Sequence, residues 1–467
     1  MALINELVSY ILQSRYEDLP RQVVEVAKKS VLDTLAATIA GSSAEGLEQL
    51  VNLAKGWGGR EEAHILIYGD KIPAPTAALV NSTMARARDL DDTHELCAVH
   101  PNATIVPSAF IISEYSKMLK GRMINGKEFI LAIALGSEFF CRLRFAAGKG
   151  PQDRGFLSET FAPIPVAAMG GKMLGFDEIT TLNAMGIAYA QCPGNSQAHI
   201  EGALTVRLQQ GLGAQAGILS IMLADQGFTG AKDILEGKYG IYSVYGDGQY
   251  TPEVLTPEEL DKHLYCSTVS TKAYPCGRHT HAAICGALQL AEEHKITDDN
   301  IEKVTISTSS RAYDMCGSGE RKVVPQTVPD AQFSYYYTVA TALVKGRLLI
   351  EDFVEEAIGN PQVLAMARKI KVVVDPEKSN LKGVAGGICP IDIEIESKDG
   401  KHYKKHVEFA RGSPKNPMDW AEIIQKLEDC ARFSAKPLPD KNIDNIIQMV
   451  ADLDKLDDVT TILEYLG

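Results

Sequence analysis

Along most of the chain apolar residues recur at three- and four-residue spacing, the period of an amphipathic helix. Leu3 to Leu12 and Val23 to Ile39 show it, and Ala77 to Ala85 is a shorter apolar helical run. Ala162 to Leu174, Leu182 to Ala190 and Gly211 to Asp225 are rich in Ala, Gly and Met with almost no charge. A helix without a polar face must be buried on most sides, so these segments predict a large central bundle. Their small residues permit close helix approach. Thr256-Pro257-Glu258-Glu259 reads as a capping box with proline at the first helical position.

The period changes after residue 268. Val304 to Ser310 and Ile370 to Val374 are β-branched runs, and Ile391, Ile393 and Ile395 alternate with Asp392, Glu394 and Glu396. That alternation is the signature of a half-buried strand. Asp399-Gly400 closes a hairpin onto Lys401 to Phe409, and a helix over Thr280 to His294 precedes the strands. Helical spacing then returns: Asn416-Pro417 supplies a cap and a first-turn proline before Trp420 to Ala431, and Asn442 to Leu453 follows. The expected fold is mainly α. An all-helical domain over residues 1–268, completed by 408–467, carries an inserted, smaller α+β lid domain over 269–407.

At 467 residues the chain exceeds one simple core, which agrees with two domains. Its composition, 45% hydrophobic and 23% charged, is that of an ordinary soluble globular protein. The longest apolar run, Phe129 to Leu135, ends at Gly136-Ser137, far short of the ~20 residues of a membrane span. The N-terminus carries Glu6 and lacks a basic region with a cleavage site, so a cytoplasmic location is expected. The nine cysteines are scattered and never form Cys-x-x-Cys, which argues against a disulfide framework or structural zinc. A net charge of −13 would repel nucleic acid, but a small anionic substrate can still find a locally basic pocket.

Two stretches carry candidate chemistry. Residues 87 to 101 place Asp89, Asp91 and Asp92 within four positions, followed by Thr93, His94, Glu95 and His100. Crowded carboxylates raise one another's pKa, and imidazoles exchange protons near neutral pH. A solvated helix terminus would show the same composition. The second stretch, Ser270 to His281, brings Lys272, Arg278, His279 and His281 to the junction of the two domains, just before a helix. Junctions favour ligand sites and helix N-termini attract anions. The alternative is a polar hinge with satisfied histidines.

Metal sites are not indicated. His279 and His281 have the spacing of neither a helical ligand pair nor a zinc finger, and His402 and His406 fall on the solvated face of a Lys-rich strand. The glycines of Gly383 to Ile388 lack the Lys-Ser/Thr and the helix of a phosphate loop, and suit a flexible loop of the lid. Gly155-Phe-Leu-Ser158 is no nucleophile elbow, since no glycine occupies the fifth position.

Taken together, Ser30-Val-Leu-Asp-Thr-Leu-Ala36, Asp89-Leu-Asp-Asp-Thr93, His100-Pro101, Leu223 to Gly230, Lys272-Ala-Tyr-Pro275, Thr280-His281, Asp330 to Ser334 and Arg411 to Pro417 form an ordered set. In these motifs the chain resembles the MmgE/PrpD family, whose members include 2-methylcitrate dehydratase, cis-aconitate decarboxylase and iminodisuccinate epimerase. The resemblance implies a helical domain built from both chain ends, an α+β lid and a homodimer. It also implies chemistry on small di- or tricarboxylates without metal or organic cofactor. By position it implies that Asp89, Thr93, His100, Lys272 and Tyr313 are pocket residues. His100 or Lys272 would move the substrate proton, with Asp89 orienting or charge-balancing the basic partner. Lys272 and Arg278 could neutralise substrate carboxylates, while Thr93 and Tyr313 donate hydrogen bonds; His281 is grouped with the substrate-binding set.

Three departures qualify the resemblance. The family's Gly-aromatic-His-x-Thr segment reads Gly155-Phe-Leu157-Ser-Glu159-Thr160, its Thr-Lys pair reads Thr205-Val206, and the decarboxylase histidine after Lys272 is Gly277. Arg207 could restore one lost charge, His279 one proton carrier, and Glu159 could meet an amino group or accept a proton. Losing such groups costs orders of magnitude if the reaction is unchanged. The expectation is therefore a cofactor-independent lyase or isomerase whose substrate is not 2-methylcitrate. Epimerase, decarboxylase and non-catalytic carboxylate-binding readings stand as alternatives.

Overall fold

Buried stripes set the helices. Over Arg21–Gly41 the buried positions include Val24, Ala27, Val31 and Leu35, at the helical period. They pack against Ala74–Arg86 and, from the far end of the chain, Trp420–Ala431. The computed structural model describes residues 2–381 and 388–467 and is mainly α. Thr205–Asp225 lies along Ala74–Arg86 so closely that a Cβ at Gly211 would sit 2.2 Å from the Leu79 carbonyl oxygen. The small residues are thus what lets these two helices meet.

One apolar core joins both chain ends: Leu7, Val31, Phe110 and Phe140 belong with Ile423, Leu427, Ile446 and Leu463. A second core gathers Ile284, Leu290, Ile306, Tyr335, Val339 and Ile393. Short β1 (Ala63–His64) and β2 (Lys71–Ile72) pair antiparallel in the helical part, which two-residue strands leave too little period to foretell. The larger sheet runs β4-β3-β5-β6, formed by β3 (Ile301–Thr308), β4 (Ile370–Val374), β5 (Ile391–Ser397) and β6 (His402–Val407). β3 and β4 are parallel; the β3–β5 and β5–β6 pairs are antiparallel, with Ile306 opposite Ile393 and Ile393 opposite Lys405. Ile391, Ile393 and Ile395 are buried as their alternation predicts, under helix Arg278–His294, where a Cβ at Gly286 would meet Ile393 at 2.6 Å. Gly400 closes the hairpin with φ +79°.

Two helix starts differ from the sequence reading. Trp420–Ala431 is capped by Asp419, whose carboxylate and Glu422 complete a reciprocal capping box; Asn416 instead accepts from Arg411 Nη1 at 2.8 Å. Pro257–Lys262 does begin with proline, but the Thr256 hydroxyl donates to the Glu253 carbonyl and caps nothing. The glycine-rich reading at Gly383 to Ile388 falls largely on residues 382–387, outside the described residues.

Candidate active site

Helix Ala74–Arg86 ends on a buried arginine, and helix Pro101–Lys120 begins after His100 with proline at its first position. Between them the chain doubles back, with Asp89 at φ +53° and Ala98 at φ +50°. Left-handed backbone at non-glycine residues persists only where the surroundings enforce it. Here the enforcement is electrostatic. Arg86 Nη1 is paired with Asp89 Oδ1 and lies 3.2 Å from Asp91 Oδ1. Lys272 Nζ lies 3.0 Å from Asp89 Oδ1, 3.1 Å from the Asp89 carbonyl oxygen and 3.7 Å from Asp91 Oδ1. Thr93 and Ser270 exchange backbone hydrogen bonds at 3.0 and 2.8 Å, so the acidic loop and the lysine segment are stitched together.

His100 completes the network. Its Nδ1 lies 3.0 Å from Asp91 Oδ2 and 2.7 Å from the Asp92 carbonyl oxygen, which fixes the proton on Nδ1 and leaves the Nε2 lone pair for the cavity. The hydrogen bond that orients the ring thus goes to the Asp92 carbonyl oxygen, and the Asp91 carboxylate lies beside it as a charge partner.

The three carboxyls behave differently. Burial alone would raise the pKa of all three. For Asp89 the Lys272 and Arg86 charges override it and hold the group far below the usual carboxylate range. For Asp91, Arg86 and Lys272 bring it down to about 2. Asp92 has no cation beside it; burial and the charges of Asp91 and Asp33 push it up to about 8, against hydrogen bonds from Asn102 at 2.6 and 3.2 Å. Two anions and one neutral acid result from three adjacent aspartates.

The network forms one wall of a partly open cavity of about 70 Å³. Asp89, Thr93, His100, Glu159, Lys272 and Arg278 all line it, and so do Leu157, Gly277 and His279, three positions singled out in the sequence. Glu159 is buried and accepts from the Ser158 hydroxyl at 3.0 Å. Arg278 is anchored on Glu95 at 2.7 and 3.0 Å and on the Arg411 carbonyl oxygen at 2.9 Å.

Three expected residues stand elsewhere. His281 lies buried behind the wall, accepting from Arg278 through Nδ1 at 3.1 Å and donating to the Cys276 carbonyl oxygen at 3.2 Å; burial and Arg278 hold it neutral. Tyr313 shares the short helix Ser310–Cys316 with Arg311 and Met315, but only those two, spaced four apart, reach the cavity. Tyr313 packs against the second core. Arg207 lines a neighbouring cavity and donates to the Glu45 carbonyl oxygen at 3.1 Å.

The sequence reading also missed wall residues: Arg86, Gln152, Ser158, His199 and Arg311. Arg311 Nε, His199 Nδ1 and Gln152 Oε1 are buried without a hydrogen-bond partner. Buried polar atoms are costly to leave without partners, and in a cavity wall these three are placed to meet a polar group. Burial and the nearby Arg86 charge lower His199 to about 4, so it presents a neutral imidazole. The spacing of Arg311 and Met315 could have flagged the first of these; nothing local distinguishes His199. Among the described residues no three His, Cys, Asp or Glu side chains converge as metal ligands.

Comparison with known proteins follows the same lines. The MmgE/PrpD N-terminal domain matches residues 5–253 and the MmgE/PrpD C-terminal domain residues 274–453. A cis-aconitate decarboxylase of Aspergillus terreus is 28% identical over 97% of this chain and 93% of its own length. A cis-aconitate decarboxylase-like protein of Aspergillus oryzae is 26% identical over 99% and 96%. A mitochondrial 2-methylcitrate dehydratase of Yarrowia lipolytica is 25% identical over 48% and 43%. With both family domains matched in order across the cavity that they jointly enclose, the chain belongs to the MmgE/PrpD family and is an enzyme of its lyase type.

Proposed function

We propose that the chain is a cofactor-independent lyase acting on a small di- or tricarboxylate, by proton abstraction beside a carboxylate followed by β-elimination. The observation that carries this reading is the Asp91–His100 pair at 3.0 Å, with the imidazole Nε2 turned to a cavity walled by Lys272, Arg278 and Arg311. The Asp92 carbonyl oxygen fixes the imidazole tautomer, and the buried Asp91 carboxylate beside it favours the imidazolium that forms, so Nε2 serves as a general base. His100 takes the proton, the C–H electrons form the new double bond, and the β-hydroxyl leaves as water with a proton from Lys272. The cations hold the substrate carboxylates and the enolate charge that develops on one of them. We take residues 269–407 as the lid over this site, and the functional unit as a cytoplasmic homodimer.

The relatives named as cis-aconitate decarboxylases suggest decarboxylation as a rival. Gly277 disfavours it here: the histidine of the decarboxylase pattern is missing, and even a Cβ at that position would lie 2.8 Å from the Phe333 ring, which would have to shift to admit one. An isomerase that returns the proton would use the same base and is separated by product analysis. The test is a panel of di- and tricarboxylates in D₂O, with exchange and product followed by NMR. Deuterium should enter beside a carboxylate, an unsaturated product should form, and His100→Ala should slow both at least ~10²-fold. Tight binding with neither exchange nor product across the panel would replace the enzyme reading with a carboxylate-binding protein.

A further inference from the structure

A second cavity, of about 160 Å³, adjoins the first. Pro275 and Gln332 line it, while their near neighbours Gly277 and Phe333 line the catalytic cavity. Two arginines form its polar part. Arg88 donates through Nε to the Ala40 carbonyl oxygen at 2.6 Å and through Nη2 to the Ser43 hydroxyl at 2.9 Å. Arg207, only 6% exposed, donates to the Glu45 carbonyl oxygen at 3.1 Å. All of these partners are neutral, and neither arginine belongs to any ion pair among the described residues.

That arrangement contrasts with the catalytic wall, where Arg86, Lys272 and Arg278 each meet a carboxylate. A buried charge without a counter-ion is expensive. Burial, joined by the repulsion of Arg88 and Arg86, outweighs the pull of the Glu45 carboxylate and lowers Arg207 to about 10. The rest of the lining includes Val328, Ile350 and Phe353, which offer apolar surface, and the exposed Glu45 and Glu355. Carboxylates at the exposed margin disfavour a ligand with several negative charges. The apolar lining disfavours a fully polar one such as phosphate.

We propose that this cavity is a second binding site, separate from the catalytic one, for a small organic monoanion: a carboxylate carrying a short apolar chain. Its carboxylate would accept charge-assisted hydrogen bonds from Arg88 and Arg207, and its chain would cover Phe353 and Val328. The proposal does not rest on the catalytic reading, since it uses none of that reading's residues.

Isobutyrate titrated into the full chain, followed by ligand-observed NMR or calorimetry, tests it. Saturable binding in the millimolar range is expected. Arg207→Leu should weaken it at least about tenfold, and Val354→Trp, which fills the cavity from its half-buried wall, should abolish it. His100→Ala should leave it within about twofold. Absence of saturable binding up to about 100 mM overturns the proposal. Unchanged affinity in both Arg207→Leu and Val354→Trp, or loss of binding in His100→Ala, overturns it equally. Because Val354 lies at the cavity wall and outside both cores, its variant keeps the test valid should Arg207→Leu fail to fold.

Discussion

His100 and His406 each hold an aspartate through Nδ1, at 3.0 Å from Asp91 and 2.6 Å from Asp392. The shorter contact does less. Asp392 and His406 are 50% and 55% exposed on the outer face of β5 and β6, where water screens the pair and rotamer freedom competes with it. Asp91 is 1% exposed and His100 16%, with Arg86 and Lys272 beside the carboxylate and the ring lining a cavity. The same two side-chain types thus give a solvated surface contact in one place and a buried, cavity-facing pair in the other, where we propose a base. Surroundings, and not contact distance, make the difference.

The comparison breaks most sharply at Lys272. Lys272→Met leaves Asp89 and Asp91 sharing Arg86 alone, and removing one partner of a buried ionic cluster costs about 3–5 kcal/mol. Urea unfolding should show it; a midpoint equal to wild type would put the cluster on a level with the surface pairs.

Next in size is Asp91→Asn, which keeps the shape but removes the carboxylate charge beside the His100 ring. Turnover should fall by ~10²-fold or more, about 2.7 kcal/mol of barrier, with KM little changed. A drop confined to KM would make Asp91 a binding residue and not a charge partner of the histidine.

A smaller effect, of opposite sign to its neighbours, is expected at Asp92. Its folded pKa, raised to about 8, exceeds the unfolded value of roughly 3.9, so its contribution is complete below pH ~4 and is lost as pH rises toward 8. Asp92→Asn should escape that loss, so its stability relative to wild type should rise by at least about 1 kcal/mol between pH 5 and pH 8. Asp89 and Asp91, whose pKa values are depressed, contribute above pH ~4 and lose that contribution as pH falls toward about 2. Denaturation curves at pH 3, 5 and 8 separate the two signs.

The least effect belongs to His406→Ala, within about 0.5 kcal/mol of wild type and without change in turnover. A larger loss would show that exposure had been given too much weight.

Much of the fold was legible because burial imposes a period. Ile391, Ile393 and Ile395 had to alternate to reach a core on one side only, and the uncharged Gly211 to Asp225 run had to lie inside. The misplaced start of the Trp420 helix came from a plausible Asn-Pro signal three residues ahead of the true Asp419–Glu422 box. The acidic loop and lysine segment were legible as a site, since Asp89, Thr93, His100, Lys272 and Arg278 converge on one cavity. Direction was harder to read. Which way a side chain leaves its helix separates Arg311 from Tyr313, and Arg207 from the catalytic cavity, and composition carries no trace of it. His199 arrives from a five-residue helix, Gln197–Glu201, that announces nothing.

One further side chain bears on how the site comes into being. Lys426, on the helix Trp420–Ala431, reaches under the acidic loop to Asp33 Oδ1 at 2.5 Å, the Leu90 carbonyl oxygen at 2.8 Å and the Lys272 carbonyl oxygen at 2.9 Å. Chains leave the ribosome N-terminus first, at about 5–20 residues per second. The acidic loop must therefore wait for a contact 336 residues downstream before its floor is in place. A nascent chain already holding His100, Asp91 and Lys272 still lacks the ammonium beneath them, so the site is complete only once the chain has been made as far as Lys426.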